Sequence, residues 1–151
     1  DRFLIRLSMG YPDHKSQINI LRDRHSENPL DRVMPVVTKD ELLSLVQETR
    51  NVEANDRIFD YITTLAEATR THPMVELGVS PRGALALCRM AKAHAFLAGR
   101  DFVVPEDVAS VFLDVCAHRL ILSAKARMME EKAENILAEI LKSVDMPVLK
   151  A

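Results

Sequence analysis

The stretch Gly78-Val79-Ser80-Pro81-Arg82-Gly83, running on into Ala84-Leu85-Ala86-Leu87-Cys88, decides the fold. Ser80 suits an N-cap, because its hydroxyl can accept a free backbone N–H of the first turn. Pro81 suits the first helical position, where its fixed φ helps and its missing N–H is no loss. Ala84, Leu87, Cys88, Ala91, Ala95 and Ala98 then recur at helical spacing. Gly99 stands where a C′ glycine would end the helix. So many alanines imply a close approach of a second helix. Arg82 falls in the first turn, where a cation opposes the helix dipole by ~0.3–1 kcal/mol. Two readings stay open. Arg82 is a solvated arginine on a well-capped helix, or it shares an anion, such as a phosphate, with the helix N-terminus.

Working outward, the same grammar repeats. Pro105 opens a helix with Glu106 and Asp107 in its first turn, and this helix buries Val108, Val111, Phe112, Val115 and Cys116 to end near His118. Asn55 caps a helix to about 70, with Ile58, Ile62, Leu65, Ala66 and Thr69 on one face. Thr38-Lys39-Asp40-Glu41 is a capping box ahead of a helix to about 50. Asp13 caps a sparser helix over 14–25, and residues 26–37 read as a loop packed through Leu30, Val33 and Val36. A last amphipathic helix is expected over 126–143, with Met129, Ala133, Ile136, Leu137, Ile140 and Leu141 together. Short extended pieces are expected at 1–7, 52–53, 75–77 and 119–122. The sum is an all-α bundle of five or six helices with strand remnants.

Composition agrees. Ala, Leu, Glu, Lys, Arg and Met are abundant, and there are four Gly and no Trp among 151 residues, a balance that favours helices over strands. A net charge of −2 argues against a general nucleic-acid-binding surface. Cys88 and Cys116 lie in apolar-periodic segments without metal spacing and read as buried thiols of a cytoplasmic protein. No apolar run approaches the ~20 residues of a membrane span. The chain opens on Asp1-Arg2-Phe3-Leu4-Ile5-Arg6-Leu7 without an initiator Met. That alternation reads as a strand separated from its sheet, so a longer protein is expected.

No catalytic set is complete. The phosphate loop GxxxxGK[ST], HExxH and a serine elbow are all missing from the sequence. The five histidines, His14, His25, His72, His94 and His118, lack ligand spacing and read as structural, and no metal site is expected. Basic residues gather near the opening stretch: Arg70, Arg82, Arg89, Lys92 and Arg100 against one acid, Glu76. Arg82 and Arg89 are seven apart and share a helix face. Arg89, Lys92 and Arg100 are expected to pair with Asp101, Glu106 and Asp107.

A set of short pieces follows in order: Asp1-Arg2-Phe3, Gly10-Tyr11-Pro12, Tyr61-Ile62, Ala68-Thr69-Arg70-Thr71-His72-Pro73, Gly78-Val79-Ser80-Pro81-Arg82-Gly83, Gly99-Arg100-Asp101-Phe102-Val103-Val104-Pro105-Glu106-Asp107-Val108 and His118-Arg119-Leu120. This set resembles the C-terminal part of the MoxR family of AAA+ ATPases, to about residue 122. The resemblance implies a helical lid over 13–151. It makes residues 1–12 the final strand and linker of an ATPase core lying earlier in the protein. It implies that Arg82 is the second sensor of the SPR motif, with Ser80 and Pro81 beside it at the nucleotide. It implies that Arg2 is an arginine finger acting on a neighbouring subunit. ATP or ADP with Mg²⁺ would bind the full-length protein, and this chain alone would bind nucleotide weakly and hydrolyse none. The implied partners are the protein's own ATPase core, neighbouring subunits of a ring (a hexamer) and a von Willebrand factor A protein. The implied work is maturation of partner complexes.

Two other classes compete. A helix-turn-helix at 98–106 would make a DNA-binding module, although Glu106 and Asp107 would repel the backbone at its reading end. A pure protein-interaction bundle could dock a partner through the 126–143 stripe, where core packing is the simpler use.

Overall fold

The computed structural model describes residues 2–23 and 28–148. It divides into two compact units, Asp1–Arg6 with Val46–Ala151, and Leu7–Leu45.

The larger unit is helical. α3 (Asp56–Thr71) starts at Asn55, whose side chain accepts from the Ile58 amide at 3.1 Å. It buries Ile58, Tyr61, Ile62, Leu65, Ala66 and Thr69, the expected face plus Tyr61. The strand β1 (Val75–Leu77) pairs antiparallel with β2 (Ile121–Leu122), matching Val75 to Leu122 and Leu77 to Ile121. Between them run α4 (Pro81–Leu97) and α5 (Pro105–Cys116). α4 ends in a Schellman motif: Gly99 sits at φ 74°, and the Arg100 amide bonds the Ala95 carbonyl at 3.0 Å. Gly83, Ala86, Leu87, Ala91 and Ala95 line its buried face, which lets α5 pack closely. Ala98 was expected there, but as the C-terminal cap of α4 it is exposed. α5 buries all five expected apolar residues, with Phe112, Val108, Val115 and Cys116 fully enclosed.

The expected helix over 126–143 is two helices, α6 (Ala124–Met128) and α7 (Ala133–Ser143). Glu130 at φ 53° breaks it, and the Glu131 amide turns back to the Ala126 carbonyl at 3.0 Å. This is the same Schellman closure, built without glycine, which is why the periodicity ran through it. The split raises the count to seven α-helices among the described residues. Met129 is consequently exposed, while Ile136, Leu137 and Ile140 complete the core against α3 and α5. The stripe on α7 serves packing.

The smaller unit holds α1 (His14–Asp23), a 3-10 turn at Pro29–Arg32 and the first turns of α2 (Lys39–Asn51). The expected end of the first helix, at 24–25, lies outside the described residues. The capping box forms: the Thr38 amide donates to Glu41 Oε2 at 2.7 Å, and the Glu41 amide donates to Thr38 Oγ1 at 3.2 Å. Leu30, Val33 and Val36 are exposed, contrary to the packed loop expected. No described residue of Leu7–Leu45 is buried. A segment this short encloses too little surface for a core of its own.

Residues 2–12 form neither helix nor strand. A strand needs a neighbouring ladder, and between backbones the described residues give this segment one bond, from the Arg6 amide to the Asp114 carbonyl at 3.0 Å.

Candidate functional site

The site is built on the first turn of α4. Two residues of α3 fix where that turn begins. Thr69, fully buried, accepts from the Val79 amide at 2.8 Å, and Arg70 Nε donates to the Val79 carbonyl at 2.8 Å. Gly78 admits this crossing, since a Cβ there would sit 2.7 Å from Arg70 Cα. Ser80 then caps the helix, its Oγ accepting from the Gly83 amide at 3.3 Å. Pro81 occupies the first position as expected.

Arg82, exposed on this turn, lines a cavity of about 490 Å³. Arg2, Arg89 and Arg119 line the same cavity, with Phe3, Leu4, Leu85 and Ala86 between them. Four arginines and no acid line one space. Arg2, Arg82 and Arg89 have no hydrogen bond or ion pair among the described residues. Such convergence of like charge in a concave wall raises the local potential and complements a polyanion. Planar guanidinium forks pair bidentately with phosphate oxygens. The residues present therefore fit phosphates. No carboxylate lines the cavity to hold Mg²⁺, and among the described residues no group of three or more His, Cys, Asp or Glu could hold a metal.

Sequence reasoning named Arg2 and Arg82, and the two lie on one cavity. Ser80 and Pro81 act one step back: they start the helix and are not among the lining residues. Arg89 was expected to pair with an acid and instead faces the cavity from the helix face it shares with Arg82. Lys92 is also not paired with an acid; its Nζ donates to the Arg50 carbonyl at 3.2 Å. Arg119 was not singled out, although it stands in the motif His118-Arg119-Leu120. Arg70 is occupied by the Val79 carbonyl.

Comparison with known proteins now bears on the family. Residues 67–140 match the model of the AAA lid domain. An uncharacterized Bacillus subtilis protein, YeaC, is 38% identical over the whole chain, which spans 47% of its length. Chaperone MoxR1 of Mycobacterium tuberculosis is 29% identical over the whole chain and is covered to 42%. A crystal structure of a protein assigned as an ATPase from Cytophaga hutchinsonii superposes with a TM-score of 0.88 at 30% identity, over 97% of this chain and 47% of that one. The chain carries an AAA lid domain and resembles the MoxR proteins over nearly its whole length. It spans about half the length of the curated relatives it matches.

Elsewhere this MoxR-type lid holds its charges internally. Asp107, 1% exposed, accepts from Arg100 at 2.7 and 2.5 Å, from His94 Nδ1 at 2.7 Å and from the Val104 amide at 2.8 Å. Burial pushes its carboxyl pKa up. The bonds from Arg100, Val104 and His94 outweigh that and hold it below the ordinary 3.8. The expected pairing is thus found for Arg100, and it removes Arg100 from any DNA-facing role. Residues 101–103 are also pinned to Glu53, through its amide to the Asp101 carbonyl at 2.8 Å and the Val103 amide to its carbonyl at 2.9 Å. A helix-turn-helix at 98–106 therefore has neither a free Arg100 nor a free turn. Burial pushes the Cys116 thiol up to about 12 and raises that of Cys88, so neither is a ready nucleophile. No helix of the described residues is long and apolar enough to cross a membrane.

Proposed function

We propose that this lid presents Arg82 and Arg2 to the phosphates of ATP bound by an AAA+ core elsewhere in the full-length protein. Arg82 is the second sensor, and Arg2 is an arginine finger. One observation carries the reading: both arginines line a single cavity whose lining includes four arginines and no acid. Because they share it, one nucleotide serves both. If Arg2 reaches across a subunit boundary, Arg82 reaches the same neighbour's ATP. We take the full-length protein to act as a ring of subunits, a hexamer, as the resemblance implies.

The chemistry is electrostatic. In phosphoryl transfer, charge develops on the γ-phosphate oxygens and on the leaving β-γ bridge. A guanidinium fork held by a rigid helix stabilises that charge without reorganising. Arg82 has such a support, since Ser80, Pro81 and the Val79 contacts fix its turn. Arginine fingers are worth roughly 10³–10⁵ in rate where measured. Mg²⁺ and the phosphate loop belong to the core, so this chain alone binds nucleotide weakly and hydrolyses none.

The names of the relatives support a chaperone role for the whole protein. We place it in the cytoplasm, maturing partner complexes with a von Willebrand factor A protein. Arg82→Ala in the full-length protein is expected to lower steady-state ATP turnover at least ~10-fold, as loss of an arginine on the transferring phosphoryl group does. Unchanged turnover would overturn the sensor role.

A further inference from the structure

We propose that Arg119 is a positioning residue that fastens the Arg2 segment to the lid, so that Arg2 and Arg82 face the same phosphates. The inference rests on the proposed roles of Arg2 and Arg82. Its basis is the hydrogen bonding of Arg119. Its guanidinium is spread over three backbone carbonyls: Nε donates to Val115 at 2.7 Å, and Nη2 donates to Phe3 at 2.7 Å and Leu4 at 3.1 Å. The first anchors it to the C-terminal end of α5. The other two hold the residues that immediately follow Arg2. His118 Nε2 adds a bond to the same Phe3 carbonyl at 3.2 Å.

The aliphatic stem of Arg119 crosses α4 at Gly83, the residue after Arg82. A Cβ on Gly83 would lie 3.2 Å from Arg119 Cδ. One side chain therefore touches the finger segment, the sensor turn and α5 together. Residues 2–4 have no helix or strand to fix them. Arg119 supplies that order through its rigid fork, which a lysine cannot copy because its ammonium is a single point charge. A finger misplaced by 1 Å loses roughly a hundredfold in rate.

The test is a mutant cycle in the full-length protein with ATP. Arg119→Lys keeps the charge, Arg119→Gln keeps the stem without the fork, and both are combined with Arg2→Ala. Arg119→Lys is expected to lower kcat by ~10-fold or more with KM for ATP within ~2-fold, because transition-state contacts are lost and ground-state binding is not. Added to Arg2→Ala it should lower kcat no further, since the two act as one unit. Unfolding midpoints are compared for each variant, and Arg119→Gln replaces Arg119→Lys if the latter unfolds early. If Arg2→Ala lowers kcat but the Arg119 variants do not, or if the two losses multiply, the positioning role is overturned while the finger stands. If Arg2→Ala leaves kcat unchanged, the finger reading itself fails, and the positioning role fails with it.

Discussion

A methyl group on Gly83 would meet Val79 Cγ1 at 2.7 Å as well as the stem of Arg119. Alanine is ordinarily the better helix residue by ~1 kcal/mol. Val79 is fully buried and cannot move aside, so overpacking of ~1–3 kcal/mol should win. Gly83→Ala is therefore expected to destabilise the lid by roughly 1 kcal/mol, measured by urea unfolding. A gain in stability would show that the crossing is looser than described. At this scale the sequence was partly legible. Ser80 as cap, Pro81 as first residue and Gly99 as C′ follow from local chemistry, and each stands where that chemistry requires. The need for Gly83 was not legible, because it depends on how Val79 is buried and on Arg119, thirty-six positions away in sequence. Arg119 itself carried no local signal. Its partners are backbone carbonyls, and a carbonyl leaves no mark on residue identity.

At the scale of elements, the α4–α5 corner and the α6–α7 break behave oppositely. The corner is held by Asp107, whose folded pKa is depressed. A depressed acid contributes stability that is present above its unfolded value and lost as pH falls through the folded one. Wild type should therefore lose stability as pH falls from about 5 toward 2. Asp107→Asn should remove that part of the acid limb and cost roughly 3 kcal/mol at neutral pH, because Arg100 loses its buried partner. Urea unfolding of both forms across this range checks the sign, and parallel pH curves would contradict it. The α6–α7 break instead stores strain at Glu130, a non-glycine residue at positive φ. Glu130→Gly should raise stability by ~0.5–1 kcal/mol, read as a higher thermal midpoint. A lower midpoint would mean that the side chain contributes something the backbone does not explain. This break was invisible in sequence, since Met128, Met129, Glu130, Glu131 and Lys132 are all good helix formers. Tertiary packing of α7 on α3 and α5 overrode that propensity.

At the scale of the molecule, the bundle is one packed core that carries the arginine-lined cavity. Its core is continuous from α3 through α4 and α5 to α7, so the first turn of α4 is rigid. The second unit, Leu7–Leu45, buries none of its described residues. Apolar periodicity told which faces of α3, α4 and α5 turn inward. It erred where a segment has apolar residues and no core to put them in, as at Leu30, Val33 and Val36. The candidate site was legible only as two separate arginines, Arg2 and Arg82. Their convergence with Arg89 and Arg119 is a property of the fold, because those four positions come from the first residues, the first turn and middle of α4, and the 3-10 turn Ala117–Arg119 that follows α5. The most direct measurement is a structure of the full-length assembly with a non-hydrolysable ATP analogue and Mg²⁺. The account predicts an Arg82 guanidinium nitrogen within about 3 Å of a γ-phosphate oxygen, the distance of a charge-assisted hydrogen bond, with Arg2 at the same phosphate group. An assembly in which the arginine cavity meets no phosphate, while nucleotide fills its core, would contradict it.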